Sequence, residues 1–305
     1  MGASRAASRP SVSHAGAWTA LSPRTSAAIP GRSPKFQNDL ERGLLVDDAL
    51  RARRSTRAFK PDPVPLELVT ELLTLASLAP SGTNIQPWKV HVVAGQVRAR
   101  LEREVLAHRD TQPADDSAEF PRQSKRKEPY ISRMRKLGKD MYTLIGVPRG
   151  DQAAGWAQWG RNYRFFDAPV GLIFTIDKDL DCMSFLDIGI FMQSFMLAAK
   201  ARGLDTCAQG AWNSYWTATR RVLRIPEDEY IVCGISLGYA DERAPVNTLV
   251  SEREPLENFA TFHGFEVGAG AEGSQVCSHC GISCGAGLGD CRVDSSASRG
   301  AGRAR

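Results

Sequence analysis

Arg53-Arg-Ser-Thr-Arg57 places three permanently charged guanidiniums and two hydroxyls in five consecutive positions. Arginine presents planar donors matched to phosphate oxygens, and Ser55 adds a short donor that can approach one oxygen closely. The chemistry suggested is a clamp for a phosphate and a second electron-rich group. The plainer reading of the same residues is a solvated basic helix end, since cations are favoured at a helix C-terminus. A second stretch, Pro80-Ser-Gly-Thr-Asn-Ile-Gln-Pro-Trp88, offers Ser81, Asn84 and Gln86 from a loop that proline and glycine keep irregular. Ligand contacts concentrate in such loops, although a polar turn between helix and strand would use similar residues. His14, His91, His108, His263 and His279 are scattered and form no triad with a nucleophile. They read as structural or disordered.

The elements that must position these residues follow from periodicity. Leu40, Leu44, Leu45 and Ala49 recur at helical spacing, which predicts an amphipathic helix from Asp39 to Arg53 leading into the basic cluster. Pro61, Pro63 and Pro65 enforce an extended crossing, and a second helix starts at Pro65, carries Leu68, Val69, Leu72, Leu73 and Ala76 inward, and ends at Pro80. Trp88–Val93, Ala168–Ile176, Thr206–Ala211 and Tyr230–Leu237 read as strands. The second of these is an unbroken apolar run, as expected of a strand covered on both faces. Residues 107 to 160 read as a charged helical excursion over the site. Ser184 is expected to cap a helix that is apolar nearly all round to Ala201, and a surface helix is expected from Trp216 to Leu223. Helices alternating with non-adjacent strands predict a mixed sheet with helices packed on it.

A chain of 305 residues with a net charge of +5 is globular in composition, and it has no long basic helix or aromatic-interleaved patch that would point to nucleic acid. No stretch is apolar enough to span a bilayer. Residues 1–37 lack Asp and Glu but carry Arg5, Arg9, Arg24, Arg32 and Lys35. They read as a disordered leader, either a transit peptide for a mitochondrion or plastid or a segment with no address. A domain is expected over 38–266, followed by a disordered Gly/Ser/Cys-rich tail over 267–305. Cys277 and Cys280 have the close spacing of a zinc knuckle, but Cys284 and Cys291 do not repeat it, so no metal is assigned. Cys182, Cys207 and Cys233 read as small core residues of a reducing, intracellular compartment.

Taken together, Arg53–Arg57, Pro80–Trp88, Arg161-Asn-Tyr-Arg-Phe-Phe-Asp-Ala-Pro169, Gly203-Leu-Asp-Thr-Cys-Ala-Gln-Gly210 and Gly234 through Arg253 carry a resemblance. The chain resembles the FMN-dependent nitroreductase family, within it the branch that includes nitrobenzoate reductases. The resemblance implies an α+β fold, a mixed sheet with packed helices in a domain-swapped homodimer, with FMN sites shared between two copies. It implies FMN phosphate and ribityl contacts from Arg53 and Ser55, a cation from Arg57 at the pyrimidine edge, and contacts from Pro80, Ser81, Gly82, Asn84 and Gln86 to the flavin of the other subunit. Gln209 and Gly210 match the segment passing the flavin N5 side, Asn162 matches a residue near the pyrimidine, and Arg253 matches a phosphate ligand. Ser251 stands where some members have lysine, so one phosphate charge is missing or comes from Arg54. Gln209 stands where the better-known branch has glutamate.

The implied activity is NAD(P)H-driven reduction of small planar acceptors, nitroaromatics or quinones, by a ping-pong cycle in which the flavin carries the hydride and the protein supplies binding and electrostatics. Arg57 would tune that chemistry, and no side chain is needed as a nucleophile. Reductive dehalogenation or flavin fragmentation on the same fold, and a non-catalytic flavin-binding protein, are the alternatives. A third is an interaction role for the cysteine tail.

Overall fold

The computed structural model describes residues 46–111 and 126–265, with the backbone of two short strands at 274–276 and 283–285. The leader, residues 39–45 of the first expected helix, and Cys277, Cys280 and Cys291 lie outside the described residues. The chain forms two units, one ending at Ser251 and one beginning at Glu252.

In the first unit, α1 (Val46–Ala52) leads into the basic cluster and α2 (Leu66–Ala76) follows the proline crossing. Pro65 occupies the N-cap of α2, and the helix stops at Ser77, before Pro80. Val69, Leu72 and Ala76 are its buried face, as their spacing predicts. Strand β1 (Lys89–Ala94) runs directly into α3 (Gly95–Thr111), a helix not anticipated from its charge-rich sequence. Its inward positions are Leu101, Val105 and Arg109, and arginine in the third of these hides the apolar period. The described part of the excursion is mostly helix: α4 (Tyr130–Leu144) and α5 (Gln152–Gly160). Then come β2 (Val170–Asp177), α6 (Ser184–Lys200), β3 (Asp205–Gln209), α7 (Trp216–Leu223) and β4 (Glu229–Gly238).

The strands lie in the order β1-β2-β4-β3, each pair antiparallel. The sheet is thus antiparallel and not the mixed one expected; among the described residues, parallel pairing is confined to an isolated bridge between Ser55 and Thr206 outside the named strands. Helices cover both faces. On one, Val170, Leu172, Phe174 and Ile176 of β2 meet Leu72 of α2 and Ile188, Phe191 and Phe195 of α6. On the other, Ile173 and Ile231 meet Leu101 and Val105 of α3, Tyr163, Phe165, Trp212 and Ala218. Alternate residues of β2 thus serve two cores, which is why its sequence shows no polar face.

Three local expectations are corrected. Ser184 does not cap α6: Met183 takes the N-cap position, with its N–H bonded to the Asp181 carboxylate at 2.9 Å. Helix α7 has a buried face that its reading as a surface helix leaves out: Ala218, Thr219 and Arg220 are buried while Arg221 is exposed, and Arg220 donates to the carbonyls of Ile225, Pro226 and Glu229. Cys182 is exposed, unlike the buried Cys207 and Cys233. In the second unit, a short turn spans Leu256–Asn258, and β5 (Ser274–Val276) pairs antiparallel with β6 (Ser283–Gly285) inside the tail expected to be disordered.

An ion and hydroxyl network joins three strands. Lys89 pairs with Asp177 and, at 2.9 Å, with the buried Glu229, which also accepts from Thr175 at 2.6 Å. His91 lies 3.9 Å from the same carboxylate, a structural position. The bond to Asp177, then the bond to Glu229, holds the Lys89 ammonium above the ordinary lysine pKa.

Two strand glycines admit the rings of the second core. A Cβ at Gly171 would lie 2.4 Å from the Phe165 ring, and one at Gly234 would lie 2.4 Å from Trp212 and 3.0 Å from the Leu172 carbonyl. Gly234→Ala is therefore expected to destabilise the chain by about 1–3 kcal/mol through overpacking. Urea denaturation measures this, and an unchanged midpoint at constant slope would show that the core yields there.

Candidate active site

The basic cluster is stapled to the sheet edge by its backbone. Ser55 bridges Thr206, with the Thr56 N–H donating to the Thr206 carbonyl at 3.0 Å, and Lys60 N–H donates to Tyr239 O at 2.8 Å. Asn247, in the turn Pro245–Thr248, accepts from the Arg57 N–H at 2.8 Å and donates to the carbonyls of Ala58 and Asp241 at 2.8 and 2.9 Å. With backbone groups thus occupied, the side chains are left for other work.

Those side chains converge. Burial pushes the Cys207 thiol on β3 up to about 11, against the charges of Arg57 and Arg53 and a hydrogen bond involving Ser55, so all three groups surround one strand position. The Arg57 guanidinium donates to the Ser55 carbonyl at 3.2 Å. Arg54 and Ser55 are exposed, while Arg53 and Arg57 are half-buried. Among the described residues, no carboxylate lies within ion-pair distance of Arg53, Arg54 or Arg57. By contrast, Arg161, Arg202 and Lys200 each hold a carboxylate within 2.8 Å.

At the end of β3, Gln209 is 2 % exposed. Its amide donates to the Asn162 carbonyl at 2.6 Å and accepts from the Ser236 hydroxyl at 2.7 Å. The side chain therefore fixes the strand end and leaves the exposed Gly210 backbone to face outward. Asn162 is half-buried, and its amide donates to the Trp159 carbonyl at 3.0 Å. The turn carrying it bends through three left-handed residues, Phe165, Phe166 and Asp167. That bend stacks Phe165 on Trp212, centroids 4.5 Å apart.

The Pro80–Gln86 loop is tied to α6. Gly82 N–H donates to the buried Asp187 carboxylate at 3.1 Å, in the first turn of α6 where a helix N-terminus favours negative charge. Ser81 accepts from Gln86 N–H at 3.0 Å, and Thr83, Asn84 and Gln86 take left-handed conformations that turn their side chains outward. Pro80, Gly82, Asn84 and Gln86 are exposed, and Ser81 is half-buried. Among the described residues no hydrogen bond or ion pair joins this loop to the clamp. Arg253 lies in the second unit, where it donates to the Glu252 carbonyl at 2.9 Å.

The predicted residues thus fall into a clamp with Asn162, Gln209 and Gly210, a separate loop on α6, and Arg253 in its own unit. Sequence reasoning missed Asp187, Ser236 and Asn247. Asp187 left one trace, a lone carboxylate early in an apolar helix.

Comparison with known proteins decides the family. The nitroreductase family profile matches residues 50–239. The chain belongs to the nitroreductase family. The 4-nitrobenzoate reductase of Pseudomonas putida is 42% identical over 227 residues, covering 73% of this chain and 99% of that protein. The nitrobenzene nitroreductase of Ectopseudomonas oleovorans is 39% identical, covering 72% and 96%. Among solved structures, the NADPH complex of the FMN-dependent nitroreductase NfnB from Mycobacterium smegmatis superposes with a TM-score of 0.67 at 31% identity, covering 75% of this chain and 99% of that one. The nitroreductase α+β fold expected from sequence is therefore present.

The buried thiols make a pH prediction. Folding raises Cys207 from 9.0 to about 11 and Cys233 from 9.0 to about 12, in each case chiefly by burial. The folded chain keeps protons that the unfolded chain releases, so this contribution to stability is full below pH 9.0 and is lost as pH rises through the folded values. The urea midpoint should fall between pH 9 and 12, with a shallower fall in the Cys207→Ala/Cys233→Ala double variant. An identical slope in the variant would remove the thiols as the cause.

Proposed function

We propose that this nitroreductase-family chain binds FMN in the clamp and uses NAD(P)H to reduce nitroaromatic or quinone acceptors. The observation that carries the reading is the set of guanidiniums without carboxylate partners among the described residues, held around the exposed Ser55 hydroxyl on the β3 edge. Its donor chemistry fits a phosphate: planar, permanently charged groups with one short hydroxyl donor. The names of the relatives agree, for FMN and NADPH dependence are stated for the sphigopyxis NfnB, which is 34% identical with a TM-score of 0.69.

When bound, FMN supplies the hydride acceptance and donation that no side chain here can perform. Arg53 and Ser55 hold the phosphate end, and Arg54 adds charge where Ser251 replaces a lysine. Arg57 is a fixed cation, which favours a more electron-rich ligand over a less electron-rich one. Asn162 and Gln209, locked to one another, and Gln209 to Ser236, keep in place the Gly210 backbone that would face the cofactor. Donor and acceptor would occupy the open site in turn, which would give ping-pong kinetics.

The site is completed by a second copy. The clamp is an open surface in one chain, and the Pro80–Gln86 loop stands apart from it on α6. Helix α1 packs against α6, and Leu50, Leu186 and Ile190 on these helices are 48%, 58% and 40% exposed. A homodimer that buries this face would bring the loop of one copy to the clamp of the other. The relatives named above are bacterial, so an organelle address for the leader draws no support from them.

The test is the full chain purified, with its visible spectrum recorded before and after anaerobic NAD(P)H. Stoichiometric FMN that bleaches and then recolours with a nitroarene is the expected result. Arg53→Gln should weaken FMN by about ten- to a hundredfold, the loss of one charged hydrogen bond. Arg57→Gln should make the bound flavin harder to reduce while weakening binding less. A colourless dimer that cannot take up FMN would overturn the reading, and bound FMN without turnover would leave a flavin-binding protein.

A further inference from the structure

Ser236 on β4 is wholly buried, and its neighbours Ile235 and Leu237 point into the core that α2 and α6 share. By strand alternation its side chain enters the opposite, aromatic core, on the face where Gly234 makes room for Trp212. A hydroxyl buried there costs free energy unless it is bonded. It donates to the Gln209 side-chain oxygen at 2.7 Å. The two residues are diagonal neighbours across the β3–β4 pair, since Gly234 lies opposite Gln209 and Ser236 opposite Cys207.

The direction of that bond is dictated from the other side. Gln209 Nε2 meets two oxygens of Asn162, the carbonyl at 2.6 Å and the side-chain oxygen at 3.5 Å. A carbonyl only accepts, so the nitrogen end of the Gln209 amide must face Asn162 and its oxygen end must face β4. The Asn162 amide is fixed likewise, for its nitrogen donates to the Trp159 carbonyl at 3.0 Å. Ser236 therefore has to donate. A side chain at 209 that could only accept would set two acceptors against each other at Asn162.

We propose that Ser236 is a positioning residue of the cofactor site, which together with Asn162 admits only a neutral hydrogen-bond donor at position 209 and so holds the Gly210 backbone in one orientation. The inference rests on the FMN reading and deepens it, by naming what keeps the strand end beside the clamp fixed and uncharged. Ser236, wholly buried, acts through Gln209. Other charged groups around this strand do not titrate near neutral pH. Arg53 and Arg57 surround Cys207, two positions back along β3, and stay charged. The Tyr163 hydroxyl, pushed up to about 12, and the Cys207 thiol, pushed up to about 11, each chiefly by burial, stay protonated. Arg161 and Asp167, on the turn that carries Asn162, pair with each other at 2.8 Å.

Gln209→Glu tests the polarity. The introduced carboxyl must keep a proton to hold its bond to the Asn162 carbonyl, so folding raises its pKa above the ordinary glutamate value of about 4.3. Below that value both states are protonated and the variant keeps its stability. Above it the unfolded chain sheds the proton first, and stability is lost as pH rises through the raised folded value. Urea midpoints of the full-length wild type and variant should therefore lie close together at about pH 4 and diverge as the pH rises to about 8. A gap that stays constant with pH would overturn the proposal.

A double-mutant cycle separates positioning from packing. Ser236→Ala should weaken FMN about two- to tenfold in the wild type, the worth of one neutral hydrogen bond. It should change nothing in a Gln209→Met background, where no amide is left to orient. Equal losses in both backgrounds would show that Ser236 only fills space, and no loss in either would show that Gln209 is held without it; each result removes the positioning role. If Ser236→Ala does not fold, the Gln209→Glu series decides alone. Urea midpoints read the same cycle without the cofactor, so coupling there in a wild type that binds no FMN would remove the flavin reading and leave the pairing of Ser236 with Gln209 standing.

Discussion

Like charges held together without counterions are the constraint on which the rest of the unit depends. Arg53, Arg54 and Arg57 repel one another, and the described chain offers them no carboxylate. What keeps them together is backbone: the Thr56 bond to Thr206, the Lys60 bond to Tyr239, and the Asn247 amide that reads Arg57 and Ala58. Each of these partners comes from the far half of the sequence. The cluster is thus held in place by the sheet, so a group binding there would not first have to order the loop.

The aromatic core sets the other side of the same site. Tyr163 meets Trp212 and Tyr215 edge-on, with centroids 5.5 and 5.2 Å apart, while Phe165 stacks on Trp212. Glycines at 171 and 234 make room for the Phe165 and Trp212 rings, so the sheet gives up two side chains to admit them. This packing holds the Arg161–Asp167 turn in its left-handed bend, and the turn in turn holds Asn162 against Gln209. A buried amide with both ends occupied has one orientation. The Gly210 backbone is fixed as a consequence.

The α6 helix has two faces with different roles. Ile188, Phe191 and Phe195 pack into the sheet core, while Leu186 and Ile190 remain open. Its first turn also carries Asp187, which pins the Pro80–Gln86 loop. One helix therefore links the core, the open apolar face and the second group of predicted site residues.

The sequence by itself determined the elements whose signals are local. The proline crossing, the α2 face, the doubly buried β2 and the full extent of α7 are each written in a few neighbouring residues, and so is the basic cluster. The resemblance carried by five loops in order determined the family. Local signals failed where tertiary contacts overrode them: Arg109 hides the buried face of α3, Asp181 stands in for Ser184 at α6, and Arg220 turns an apparently exposed helix inward. Only the tertiary structure decided what surrounds the clamp, because Thr206, Ser236 and Asn247 lie some 150 to 190 positions from it in sequence and share no pattern with it. It also decided that the predicted loop is pinned to α6 by Asp187 while the basic cluster is stapled to β3. A hydrogen bond between distant residues leaves no periodicity, so proximity of that kind exists only once the sheet has formed.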